Sequence, residues 1–487
     1  MDSLIHWSLP YIMAILVIGV SGFISKINFL YMAGLILLWT STLTILGVGI
    51  SAEKLFLFLI LIHMILYYLR KPGILMPYFI PYFLLMSCLI IYSIIMSFQV
   101  PPNNLSALMP TSLQLPPSRG IFSSILFFCS ILVVHFSFPK HTYRQNLYTI
   151  LRVMFGSAVI VIFIFMSQLF LSVISPSMNS FFALLSSNNA TESVILVEEG
   201  ISSGGFFGIR PALFSSEPKY FGLAFANIAV FALLQRNIRL PYLANWIASP
   251  IFIFTCLFCL IMSSSVTAIF SFLIGFSGIL ILSTPRKKKI QSRVINAFLF
   301  LISVGAVSIL ITSGSFVFQR IEMYIQLFQA GFTGDSLDAN LSTTGYILWL
   351  IDDPSKLFFG VGFGNGAFYA YDYISITSGF SINGFTSSRV PIIDLISSVG
   401  IFGTSLIYIL WFKWLSYIDK WSKKLPLADS KQLVFIRGCI IYYLFAGMLY
   451  PANIHIWLFF GLAFSFIYNS RNQILLNTQT SSKSSSV

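Results

Sequence analysis

The chain has 487 residues, of which 57% are hydrophobic and only 9% charged. A soluble fold of that composition would leave large apolar patches on its surface, so a soluble domain is excluded and an all-α, polytopic transmembrane helical bundle is expected. The formal charge of +13 does not indicate a nucleic-acid partner, because the basic residues fall in short segments between apolar runs and form no continuous stripe.

Bilayer-length apolar runs are expected at 8–24, 28–49, 52–69, 74–98, 121–139, 152–175, 219–235, 249–264, 266–283, 294–314, 391–412, 432–449 and 453–469. They make about 12–13 spans in a single membrane domain over 1–470. The run through 249–283 is too long for one ordinary span, and Ser263, Ser264 and Ser265 supply a tight turn that splits it. The serine-rich residues 471–487 read as a disordered cytoplasmic tail. The first residues, MDSLIHW, lack a basic n-region and a small-residue cleavage site, so no cleaved leader is expected. Cys256 and Cys259 have CxxC spacing but lie inside an apolar run without further ligands. They read as small buried hydrophobes, and neither a metal nor a cofactor is expected.

Basic residues near the run ends set the orientation. Lys140, Arg144, Arg152, Arg236, Arg239, Lys413, Lys420, Lys423, Lys424 and Lys431 fall on one side, which the positive-inside rule makes cytoplasmic. Two long polar stretches, about 176–219 and 315–390, then lie outside with nearly all the acidic residues.

The first stretch ends in GGFFGIRPALFSSEPK. Gly204, Gly205 and Gly208 relax the backbone just before Arg210, and Pro218 suits the first turn of the next span, which puts Glu217 at a helix amino terminus near the membrane boundary. An arginine and a carboxylate at that depth form either a structural ion pair or a working pair. In the second case Arg210 matches diphosphate oxygens and Glu217 takes a proton from an attacking hydroxyl. Lys219 reads either as an interface residue that snorkels or as a ligand.

In the second stretch, 316–331 has helical apolar spacing with Arg320 on its polar side, as an amphipathic surface helix would. A short helix over about 342–352 ends at Pro354. FFGVGFGNG lacks the Lys-Ser/Thr of a nucleotide-binding phosphate loop and reads instead as a tight re-entry of the chain toward the bundle. Arg389 meets the start of a span, with Asp394 about one turn inside it, facing a polar cavity, Arg389 or the headgroup level. His455, at the outer start of the last span, is either a proton shuttle or a structural residue of an aromatic interface.

Three of these segments carry a resemblance. GIRPALFSSEPKYFGLAFA is similar to a Gly-Arg…Gly-Leu-Phe…Glu-Pro-Ser pattern, LFFGVGFGN to a Pro…Phe-Gly-x-Gly pattern, and VPIIDLISSVGIFG to a helix ending in Gly-Ile/Leu-x-Gly. All three belong to bacterial polysaccharide repeat-unit polymerases of the Wzy type, which the chain resembles over most of its length. Those enzymes are related in fold to O-antigen ligases of the WaaL type, and the resemblance implies a GT-C-like polymerase/ligase architecture. In ligases a His-Asn pair stands where this chain has Arg389 and Val390, which shifts weight toward the polymerase.

The resemblance implies a metal-independent, inverting glycosyl transfer at the outer face of a bacterial cytoplasmic (inner) membrane, between undecaprenyl-diphosphate-linked oligosaccharides. Arg210, with Arg389 or Arg320, would neutralise the leaving diphosphate, and Glu217 would activate the attacking hydroxyl, with His455 and Asp394 as weaker candidates. Lys219, Arg320, Arg389 and Asp394 complete the expected substrate-binding set. Membrane lipids and a chain-length regulator are the remaining expected partners. The competing readings are a ligase that moves glycan onto lipid A core or protein, and a lipid-linked oligosaccharide flippase. A flippase predicts inverted repeats and deep charges, and the sequence shows few deep charges and no visible repeat.

Overall fold

The computed structural model describes residues 8–37, 42–45, 48–70, 80–100, 138–174, 218–263, 265–282, 338–378, 390–449 and 453–484. In chain order the elements are α1 (Ser8–Ser21), α2 (Ile27–Ile36), β1 (Thr42–Ile45), β2 (Val48–Ser51), α3 (Ala52–Arg70), α4 (Ile80–Ser97), α5 (Tyr143–Ile174) and α6 (Pro218–Ile238). They continue with α7 (Pro250–Met262), α8 (Val266–Leu282), α9 (Asp338–Asp352), α10 (Pro354–Phe359), α11 (Gly366–Tyr369), α12 (Tyr371–Ser378), α13 (Pro391–Ser422), α14 (Leu427–Ala446) and α15 (Asn453–Ser484).

Helix α6 is the centre. Every residue from 221 to 235 is buried, because α7, α8 and α14 pack around it. Its sequence, FGLAFANIAVFALLQ, is apolar apart from Asn227 and Gln235, and Gly222, Ala224, Ala226, Ala229 and Ala232 let neighbouring backbones come close. A Cβ on Gly222 would lie 2.3 Å from the Ser263 hydroxyl, so the α7–α8 turn rests directly on α6. Ser263 ends α7 and Ser265 precedes α8, at the position expected for the turn. The Ser263 hydroxyl donates to the Leu260 carbonyl at 2.6 Å, and the Ser265 hydroxyl accepts from the Ala268 N–H at 3.3 Å, capping α8.

Among the described residues four helices, α4, α5, α6 and α13, are long and apolar enough to cross a membrane. Unlike α6, the other three turn apolar side chains outward. Leu84 on α4, Phe163 and Phe170 on α5, and Phe402 on α13 are each more than 60% exposed. In water that surface would drive association; in a bilayer it is the lipid-facing wall. The protein is a helical membrane protein.

Two segments differ from expectation. Helix α2 stops at Ile36, and residues 42–45 and 48–51 pair as antiparallel strands with Thr42 opposite Ser51 and Ile45 opposite Val48, where one run over 28–49 was expected. Threonines and β-branched residues there favour a pleated strand despite the high apolar content. At the other end α15 runs on to Ser484, through residues expected as a disordered tail. Its continuation, RNQILLNTQ, is rich in helix formers before the serines begin. Gln473 is also tied to the bundle, since its Oε1 accepts from the Tyr143 hydroxyl at 3.0 Å.

Candidate functional site

The bundle has two chemically distinct ends. At the basic end, Arg144 on α5 donates from Nε and Nη2 to Asp429 Oδ2 on α14, at 3.1 and 2.9 Å. Arg152 donates to the Tyr242 carbonyl at 2.8 Å, Lys431 to the Arg239 carbonyl at 3.4 Å, and Lys140 lies 5.8 Å from the Tyr468 ring centre. The turn from α13 to α14, with Lys420, Lys423 and Lys424, is at this end too. The opposite end holds the start of α13, the end of α14 (the Ile392 N–H donates to Met448) and the layer α9–α12. Asp352, Asp353, Asp372 and Asp394 belong to it.

What joins that layer to the bundle is a break in α13. At Gly400 the backbone leaves the helix, with φ 69° and ψ 176°. A helix interrupted inside a membrane strands carbonyls that must find donors within the protein. Here the donors come from the glycine loop. Val361 N–H bonds the Ser397 carbonyl at 2.9 Å and Gly362 N–H the Ser398 carbonyl at 2.7 Å.

The same loop grips α4. Phe363 N–H donates to Ser93 Oγ at 2.7 Å, the Tyr92 hydroxyl to the Gly360 carbonyl at 2.9 Å, and Asn365 Nδ2 to the Ser93 carbonyl at 3.0 Å. The approach requires glycine. Gly360, Gly362 and Gly364 have φ of 70°, 86° and 81°, and a Cβ on Gly400 would meet the Phe358 carbonyl oxygen at 2.0 Å.

Beside the clamp lies a polar nook. Asp394, in the first turn of α13, is partly buried, and its carbonyl accepts from the Ser397 and Ser398 hydroxyls at 3.0 and 2.7 Å. A Cβ on Gly366 would lie 3.0 Å from Ser397 Oγ and 3.1 Å from the Tyr346 ring, so α9, α11 and α13 converge there. Burial first, and then the Asp394 charge, push the Tyr346 phenol well above its usual range, leaving it a neutral donor. Above the nook, Asp353 caps α10 by accepting from the Ser355 N–H at 3.1 Å. The Ser355 hydroxyl, and then Lys356, hold its carboxyl below the usual value. Pro354, expected to end a helix, thus also opens the next one as its first residue.

Of the seven residues singled out from the sequence, Arg210, Glu217, Arg320 and Arg389 lie outside the described residues. The described part of α6 begins at Pro218, directly after Glu217. Lys219 is in its first turn. Asp394 is in the nook. His455 is in the first turn of α15 but packed inside, 2% exposed, with its ring stacked on Tyr443 at 4.8 Å and 23°. Its Nδ1 has no hydrogen-bond partner among the described residues. In that position it touches the bundle core behind α6, since Tyr443 packs against Phe231 at 5.9 Å.

No protein-family model matches the chain, and no curated protein matches it. The resemblance therefore rests on the chain's own segments. Two of these, 357–365 and 390–403, are hydrogen-bonded to each other in the clamp. Sequence reasoning missed Tyr92, Ser93, Tyr346 and Asn365. Tyr92 and Ser93 sit in an apolar helix where a serine or tyrosine is unremarkable, and their partners are more than 260 residues away.

Proposed function

We propose that the protein polymerises polyprenyl-diphosphate-linked oligosaccharide repeat units by glycosyl transfer at the outer face of a bacterial cytoplasmic membrane. The observation that carries this reading is the clamp. The segments that resemble the polymerase patterns, LFFGVGFGN and VPIIDLISSVGIFG, are bonded together at the end of the bundle opposite its basic residues. The third, GIRPALFSSEPKYFGLAFA, leads into α6 at the centre.

In this reading the hydroxyl at the non-reducing end of one lipid-linked unit attacks the anomeric carbon of the growing chain. The bond from that carbon to the diphosphate oxygen breaks, and the hydroxyl proton passes to Glu217. Arg210, with Arg389 or Arg320, stabilises the charge that builds on the departing diphosphate, which needs no protonation to leave.

The test is incubation of the purified protein with its lipid-linked repeat unit. A ladder of longer glycans is expected, and Arg210→Ala or Glu217→Gln should reduce its formation by at least about a hundredfold at unchanged protein level. In cells carrying either variant, single units should accumulate on the outer face. Long glycan that forms but fails to reach its final acceptor would instead establish a ligase. Units trapped on the cytoplasmic face would establish a flippase.

A further inference from the structure

A groove of about 730 Å³ opens at the basic end, between Pro81 near the start of α4 and one stripe of α13. Its lining includes Ile409, Lys413, Tyr417 and Lys420, spaced three or four apart and so on one helix face, with Phe412 beside them. Ile409 and Phe412 are exposed at 51% and 38%, which leaves a contiguous apolar floor open to the surroundings. Lys413 and Lys420 are both exposed, and neither forms an ion pair among the described residues. The one carboxylate nearby on the same helix, Asp419, pairs with Lys423.

The order of these residues along α13 matters. Polarity rises from Ile409 and Phe412 through Lys413 to Lys420, in the direction of the helix end at Ser422. Beyond the break at Gly400, Lys413 lies about 18 Å along the continuous part of α13 from Ile401, and Lys420 about two turns further toward the helix end. The two lysines are about 10 Å apart, so one phosphate fits between their ammonium groups. An apolar floor toward the membrane interior and two uncommitted cations at its boundary have the polarity profile of an amphiphile with an anionic head.

We propose that this groove is a binding site for an anionic phospholipid of the leaflet at the basic end. Its phosphate lies between Lys413 and Lys420, and an acyl chain runs along Ile409 and Phe412. Charge complementarity selects the head, and the open apolar floor selects a lipid over a soluble anion.

The experiment compares the full chain with two charge-matched double variants. In Lys413→Ala/Lys420→Ala the groove loses both cations. In Lys423→Ala/Lys424→Ala the same charge is removed outside it. Each protein, with its elution profile recorded, is equilibrated in mixed micelles with phosphatidylglycerol or phosphatidylcholine, and retained lipid is counted by native mass spectrometry. Wild type and the outer variant should retain phosphatidylglycerol in preference to phosphatidylcholine, and the groove variant should lose about tenfold or more of that preference. Equal retention of the two lipids by wild type would overturn the proposal. So would equal losses in the two variants, or a groove variant that changes oligomeric state while keeping its lipid.

Discussion

The Arg144–Asp429 pair shows how unequal two partners can be. The Asp429 side chain is 7% exposed and the Arg144 side chain 51%. Removing the arginine leaves a buried carboxylate with lost donors, whereas removing the aspartate leaves a guanidinium that water still reaches. Arg144→Ala should therefore cost roughly 1–3 kcal/mol in thermal unfolding in detergent, and Asp429→Ala distinctly less. Equal costs would mean that the pair acts through mutual attraction alone. His455 makes a related point at the opposite end. Its ring is held by stacking on Tyr443 inside the bundle, so any proton it exchanges must arrive through other groups rather than from bulk solvent.

At the scale of elements, the clamp between the glycine loop, α4 and the broken α13 unites segments that no local propensity would join. Two free carbonyls in α13 and two loop N–H groups satisfy each other, and the geometry requires left-handed backbone at the glycines. Gly400→Ala should destabilise the protein by more than about 2 kcal/mol, because it combines a positive φ with a Cβ pressed into a carbonyl. Gly156 on α5 is the matched control, since its added Cβ meets nothing within 4 Å. Gly156→Ala should be neutral or stabilise by about 0.5–1 kcal/mol. Thermal melts of the two variants side by side check both, and similar melts would remove the clamp from the account.

For the whole molecule, the two ends should face opposite sides of a membrane. With the native cysteines replaced by alanine, Asp372→Cys and Lys423→Cys report on them separately. A membrane-impermeant maleimide should label Asp372→Cys in intact cells and Lys423→Cys only after the membrane is opened, as the proposed orientation requires. Labelling of both from one side would dissolve the two-ended arrangement and the functional reading with it. The lipid-facing helices α4, α5 and α13 and the buried α6 explain why such an arrangement holds. Apolar side chains outside are stable in hydrocarbon, while small residues inside let the central helix be enclosed on all sides.

Composition by itself determined the class, because a chain this apolar and this poor in charge has no soluble solution. Local chemistry was equally legible where it acts over a few residues: three serines split α7 from α8, Pro218 opens α6, and a glycine run without a lysine reads as chain re-entry. High apolar content alone did not distinguish the paired strands 42–45 and 48–51 from a span, and serine enrichment alone did not show where α15 would end. Tertiary structure decided what sequence spacing cannot carry, namely that Ser93 and Phe363 share a hydrogen bond across 270 positions and that α6 is the helix the others enclose. It also decided that His455 faces the core. The physical reason is that burial and backbone pairing depend on which surfaces meet, and in a bundle of similarly apolar helices those meetings are chosen by small residues and stranded polar groups far apart in the chain.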